Sequence, residues 1–188
     1  MSTNYEMCFC DTKISSQNVF EILNNLIKKA GWIPVAEVNC LWAYGPSASL
    51  KYSRKIDEKD ICLLLEEYNY YQNYNEYHLS FSPEYTHDNP FILPKHIYDL
   101  ILLILNTVDF FCGNMGLETY GFESYTNASR YDVLKEEKVY LTDTLLDLAY
   151  LSKNCIKRCY DISPSMISSY DCIKLNNGNL YIRKGLLR

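Results

Sequence analysis

The chain has 188 residues, of which 48% are hydrophobic and 22% charged, the composition of a globular protein with one sizeable core or two small, closely packed lobes. Its formal net charge of −5 is unevenly spread: residues 1–152 carry 21 acidic and 11 basic side chains, residues 153–188 carry 2 and 7. An acidic body disfavours nonspecific binding to phosphate backbones, which depends on Lys and Arg, and suits a basic partner; the longest apolar run also falls far short of the roughly 20 residues that span a bilayer.

The opening stretch MSTNYEMCFC lacks a basic start followed by a long apolar run, so the expected compartment is the cytoplasm. The eight cysteines are accordingly expected as reduced thiols rather than as a disulfide framework.

Taken in order, Tyr5–Cys10 reads as a short strand. Ser15 or Ser16 then precedes a helical pattern of Val19, Phe20, Leu23, Leu26 and Ile27, closed by Gly31 as a C-terminal glycine should. Ile33–Tyr44 reads as a strand. Gly45-Pro46 breaks the chain, and Ala48, Leu50 and Tyr52 alternate with polar residues, so an antiparallel hairpin is expected. Asp57 and Asp60 resemble the cap and first turn of a helix continuing through Ile61, Leu64, Leu65 and Tyr68. Glu76–Ser82 alternates again, with Tyr77, Leu79 and Phe81 on one face. The order β-α-β-β-α-β predicts a ferredoxin-like unit over residues 1–83.

Residues 84–188 are expected to form a helical half sharing the same core. After the Pro- and Asn-marked connector 83–93, a central helix is predicted over 94–112, apolar around most of its circumference. Gly113 and Gly116 punctuate, Glu118–Tyr125 reads as a strand, and 127–139 is ambiguous between a short helix and a loop. A helix capped by Thr142 is predicted from Asp143 to about Cys159. Over 169–185, Asn177-Gly178 between two short runs predicts a terminal β-hairpin. The fold class expected is therefore α+β.

No chemical signature stands out. Cys155 and Cys159 would share a helix face, but it is the apolar one, where free cysteine is commonly buried. Cys8 and Cys10 point to one side of a strand, yet no second cysteine pair is spaced to complete a metal site. The three histidines, His78, His87 and His96, fall on different elements. No nucleophile elbow or phosphate-binding glycine loop is present. No catalytic residue, metal or cofactor is therefore assigned. Nucleic-acid binding is disfavoured by thin basic accompaniment to the aromatics Phe9, Trp42, Tyr52, Tyr77 and Phe81.

Composition favours protein binding. Tyrosine, at 18 residues, concentrates in EEYNYYQNYNEY at 66–77. Tyrosines among carboxylates suit an interface that steers in a basic partner. The expected contact residues are Glu66, Glu67, Tyr70, Tyr71, Tyr74 and Glu76. The expected function is that of a non-catalytic cytoplasmic protein that binds and neutralises a basic protein, such as an immunity protein or inhibitor of a toxin or nuclease. The alternative is a small enzyme whose site is assembled from distant Cys, His and carboxylate residues.

Overall fold

A computed structural model describes residues 5–11, 18–37, 46–56, 58–71, 74–81, 92–117, 139–140, 147–160 and 168–187. The elements in chain order are β1 (Tyr5–Asp11), α1 (Val19–Lys29), β2 (Ile33–Glu37), β3 (Ala48–Ile56), β4 (Lys59–Tyr71), β5 (Tyr74–Phe81), α2 (Lys95–Thr107), β6 (Cys112–Leu117), β7 (Val139–Tyr140), β8 (Leu148–Ser152), α3 (Lys153–Arg158), β9 (Cys159–Tyr160), β10 (Tyr170–Lys174) and β11 (Gly178–Arg183). Nine strands form one sheet in the order β10-β11-β8-β6-β1-β5-β4-β3-β2. Every neighbouring pair in it is antiparallel. β7 and β9 form a separate parallel pair.

This sheet overturns the predicted ferredoxin-like unit on a helical half. Residues 57–68, read as the second helix of that unit, belong mostly to β4, where Leu63 and Leu65 are buried while Cys62 is exposed. That is the period of two of a strand. Of the acidic residues read as a helix start, Asp57 lies outside the described residues and Asp60 is in β4, paired with Lys55; nearby Ile56 pairs with Lys59, and Glu58 adopts φ +67°, uncommon outside glycine. The later half is not helical either, since it contributes β6, β8, β10 and β11 to the same sheet.

Of the helix predicted from Asp143 to Cys159, only Lys153–Arg158 is helical, as the short α3; Leu148–Ser152 is strand β8, buried at all five positions, and residues 143–146 lie outside the described residues. A strand covered on both faces loses its alternation, and a short apolar run then resembles a buried helix. Cys155 is accordingly in α3 and Cys159 in β9, not on one helical stripe. The central helix is shorter than predicted, because Val108 is already extended and Cys112 opens β6. Asn106 and Thr107 donate side-chain hydrogen bonds to the carbonyls of Leu102 and Leu103 in its last turn. The strand expected at Glu118–Tyr125 lies outside the described residues.

Other expectations match. Gly31, at φ +88°, closes α1. β2 and β3 pair antiparallel, and β10 and β11 form the terminal hairpin.

α1 and α2 pack together, and their apolar stripes (Leu23, Leu26 and Ile27; Ile97, Leu100, Ile101 and Ile104) share one core with Met7, Phe9, Leu65, Leu79, Met115 and Ile182. Alternation along β1 and β5 sends Glu6, Cys8, Cys10, Glu76, His78 and Ser80 to the opposite face. Around β1, β6 and β8 that face is buried too: Cys8, Cys10, Cys112, Asn114, Ala149 and Leu151 have no solvent exposure. Toward β2 and β3 it opens, leaving Lys51, Lys55 and Cys62 exposed.

Candidate functional site

The buried second face carries a cluster of polar and thiol groups. In the β1–β5 register Cys8 stands opposite His78, Cys10 opposite Glu76 and Glu6 opposite Ser80. A Cys-x-Cys pair on one strand thus faces a Glu-x-His pair on its neighbour. Directly opposed residues on one face have Cβ atoms about 4.5–5.5 Å apart, so the four side chains converge. On the other side of β1, Cys10 stands opposite Cys112 and Cys8 opposite Asn114.

His78 is the hub. Its Nδ1 lies 2.8 Å from Glu6 Oε1, and its Nε2 lies 3.2 Å from Glu76 Oε2 and 3.4 Å from Cys8 Sγ. Ser80 Oγ donates to Glu6 Oε1 at 3.2 Å, and Cys10 Sγ donates to Glu76 Oε1 at 3.9 Å. The Tyr68 ring sits over the imidazole with centroids 4.7 Å apart, and its hydroxyl donates to Glu66 Oε2 at 3.4 Å. Burial opposes the imidazolium, but the hydrogen bonds to Glu6 and Glu76 and their charges outweigh it, lifting the His78 pKa to about 9. Burial pushes the Cys8 and Cys112 thiols well up, with neighbouring thiols adding to the effect.

The cluster therefore lacks what nucleophilic catalysis needs, an accessible thiolate. It does offer metal ligands. Cys8 Sγ, Cys10 Sγ and a Glu76 carboxylate oxygen all lie within 4.8 Å of one another, with His78 Nε2 against two of the three.

The sequence-predicted contact residues are divided. Glu66 and Glu67 are half-buried neighbours on β4 and face opposite ways: Glu66 stands opposite His78, Glu67 opposite the core residue Tyr77. Burial raises the Glu66 pKa, with His78 and Tyr68 working against it. Glu67 accepts a hydrogen bond from Ser47 Oγ at 3.2 Å. Tyr70 and Tyr71 lie on β4 and Tyr74 on β5, with Tyr71 paired to Tyr74, and their side chains lie outside the described residues. Glu76, only 2% exposed, belongs to the buried cluster and offers no surface contact.

Reading the sequence missed Glu6, His78 and Ser80 as partners of Cys8 and Cys10. The alternation of Tyr77, Leu79 and Phe81 already implied that Glu76, His78 and Ser80 share the other face. Of the other histidines, His96 is at the start of α2 beside Trp32 and His87 lies outside the described residues. A cleft of about 190 Å³ at another part of the sheet is lined by Asp11, Asp109, Phe110, Ser152, Lys153 and Asn177 and contains none of the predicted residues.

No family model, no curated protein and no solved structure matches this chain.

Proposed function

We propose that the protein works by binding another protein without catalysis, and that it neutralises a basic one in the manner of an immunity protein or toxin inhibitor. The supporting observation is a contrast across the sheet. The convergent cluster of Cys8, Cys10, Glu76 and His78 is sealed in its middle, whereas the edge strand β2 leaves Ile33 66% and Val35 58% exposed. Exposed neighbouring β-branched side chains suit a protein contact. Pro34, between them, blunts addition of a further strand by backbone pairing, so the contact runs through side chains. The net charge of −5 would steer a basic partner toward the molecule.

Among the described residues, Cys8, Cys10, Cys62, Cys112, Cys155 and Cys172 form no disulfide, which supports a cytoplasmic setting. No helix among the described residues is long and apolar enough to cross a membrane. The alternative, a small enzyme, draws on the convergence of Cys8, His78 and Glu76; their burial and the raised Cys8 pKa weigh against it.

The test is retention of host proteins on the immobilised chain at low and moderate salt, followed by the same binding with Val35→Asp. A basic protein retained stoichiometrically, loosened by salt and bound at least about tenfold more weakly by the variant supports the reading, such a loss being the size of a hot-spot truncation. Equal binding by Val35→Asp overturns the placement, and absence of any retained basic protein overturns the function.

A further inference from the structure

We propose that Cys8, Cys10, Glu76 and His78 form a closed site for a divalent cation of the zinc class, bound structurally and not for catalysis. The register carries the argument. Two adjacent strands each present a pair two residues apart, and the pairs stand directly opposite, Cys8 to His78 and Cys10 to Glu76. Four donors then occupy the corners of one patch on one face.

The spacings suit a small ion. With zinc–ligand bonds of about 2.0–2.3 Å, the edges of a tetrahedron of S, N and O donors are about 3.3–3.8 Å. Three separations fall near this range: 3.4 Å from Cys8 Sγ to His78 Nε2, 3.2 Å from Nε2 to Glu76 Oε2, and 3.9 Å from Cys10 Sγ to the other carboxylate oxygen, Oε1. Both sulfurs and the carboxylate lie within 4.8 Å of one another.

The surroundings are those of a metal-binding histidine. A ligating imidazole commonly donates its other N–H to a carboxylate, which fixes the tautomer and turns the free lone pair toward the ion. Glu6 Oε1, 2.8 Å from His78 Nδ1, occupies that position, and Ser80 holds the same oxygen. Glu6 and Ser80 are positioning residues and touch no metal.

The donor set selects the ion. Two thiolates with one imidazole favour zinc over the oxygen-seeking magnesium and calcium, and four protein donors leave no open position for substrate. Cys8 and Cys10 have no solvent exposure, Glu76 2% and His78 7%, so the ion would enter while the chain folds. The proposal is independent of the partner-binding reading.

The experiment uses the full chain, reduced and refolded with cobalt(II) and separately with zinc. The expected result is one ion per chain, a cobalt–thiolate charge-transfer band with the intense visible absorption of tetrahedral cobalt, and displacement by zinc. Cys10→Ser should lose stoichiometric binding, whereas Cys172→Ser, altering an exposed cysteine, should retain it. X-ray absorption at the zinc edge of the unaltered protein needs no variant, and should show two sulfur neighbours at about 2.3 Å. A refolded, reduced chain without stoichiometric metal, a zinc spectrum without sulfur, or a folded Cys10→Ser that binds as well as the parent overturns the proposal.

Discussion

One face of one sheet is built in two ways. Where it crosses β5, β1, β6 and β8 it is closed, and its polar groups are paired with one another: His78 with Glu6 and Glu76, Ser80 with Glu6, Cys10 with Glu76. Where it crosses β2, β3 and β4 it opens, with Ile33, Lys51, Lys55 and Cys62 exposed. In the closed region a polar group is tolerated only with its partners, because desolvation is costly without them. In the open region water satisfies the polar groups, and what stands out is the apolar surface of Ile33 and Val35. The same alternation of residues therefore yields a candidate ligand site at one end and a candidate contact at the other.

The sharpest way to break this comparison is at the hub. His78→Leu, studied in protein freed of metal by chelation, removes the cation held between Glu6 and Glu76 while keeping side-chain bulk. Breaking a buried ion pair from one side typically costs about 3–5 kcal/mol. The midpoint of urea unfolding should fall accordingly, whereas Lys55→Leu, at an exposed position of the open region, should move it by less than about 0.5 kcal/mol. Equal small effects at both sites would show that the closed cluster is not the tightly coupled unit its hydrogen bonds imply.

The parts legible in the sequence were those fixed by neighbours along the chain. Val19 to Ile27 recur at helical spacing, Gly31 supplies the positive φ that ends the helix, and Asn177-Gly178 stands at the turn of the terminal hairpin, Gly178 opening β11. What was not legible depends on partners far away. The faces of Cys8, Cys10 and His78 could be read, but not that β1 enters the sheet between β5 and β6, which brings Cys8 to His78 across 70 residues. The misreadings of β4 and β8 have the same origin. Capping chemistry at Asp57 and Asp60 imitated a helix start, and Leu148–Ser152, covered on both faces, lost the alternation that marks a strand.

A smaller effect, read by changing pH, tests the helix-covered face on the other side of the same strands, where Tyr150 lies in the core with Phe9 and Leu180. The Tyr150 hydroxyl is buried and has no hydrogen-bond partner among the described residues. Burial, with the nearby Asp109, Cys112 and Cys155, pushes its pKa up to about 12. An unfolded tyrosine ionises near pH 10. The folded state therefore favours the neutral phenol, and this contribution to stability is present below about pH 10 and is lost as pH rises through about 12. Tyr150→Phe should raise the pH of alkaline unfolding, followed by circular dichroism, and should leave neutral-pH stability unchanged or higher by up to about 1 kcal/mol, because a buried unpaired hydroxyl is removed. A lowered alkaline midpoint would mean that the hydroxyl supports the helix-covered core.

The smallest expected effect lies at the open end and concerns cysteine. Cys62, on β4, is exposed, whereas Cys8 and Cys10, on β1, are fully buried. All are free thiols, so their difference in reactivity reports access and ionisation together. In the folded, metal-free chain Cys62 and the exposed Cys172 should be alkylated first, while Cys8, Cys10, Cys112 and Cys155 react only as the protein opens. Cys62→Ser should change unfolding free energy by less than about 0.5 kcal/mol, the range of a surface substitution. If Cys8 or Cys10 is alkylated as fast as Cys62 under native conditions, the middle of the sheet opens far more readily than its packing implies, and the division between a closed and an open region fails where it matters most. If the buried pair reacts only at the rate of global unfolding, the cluster belongs to the most stable unit of the fold, where an ion once enclosed would exchange only when the chain unfolds.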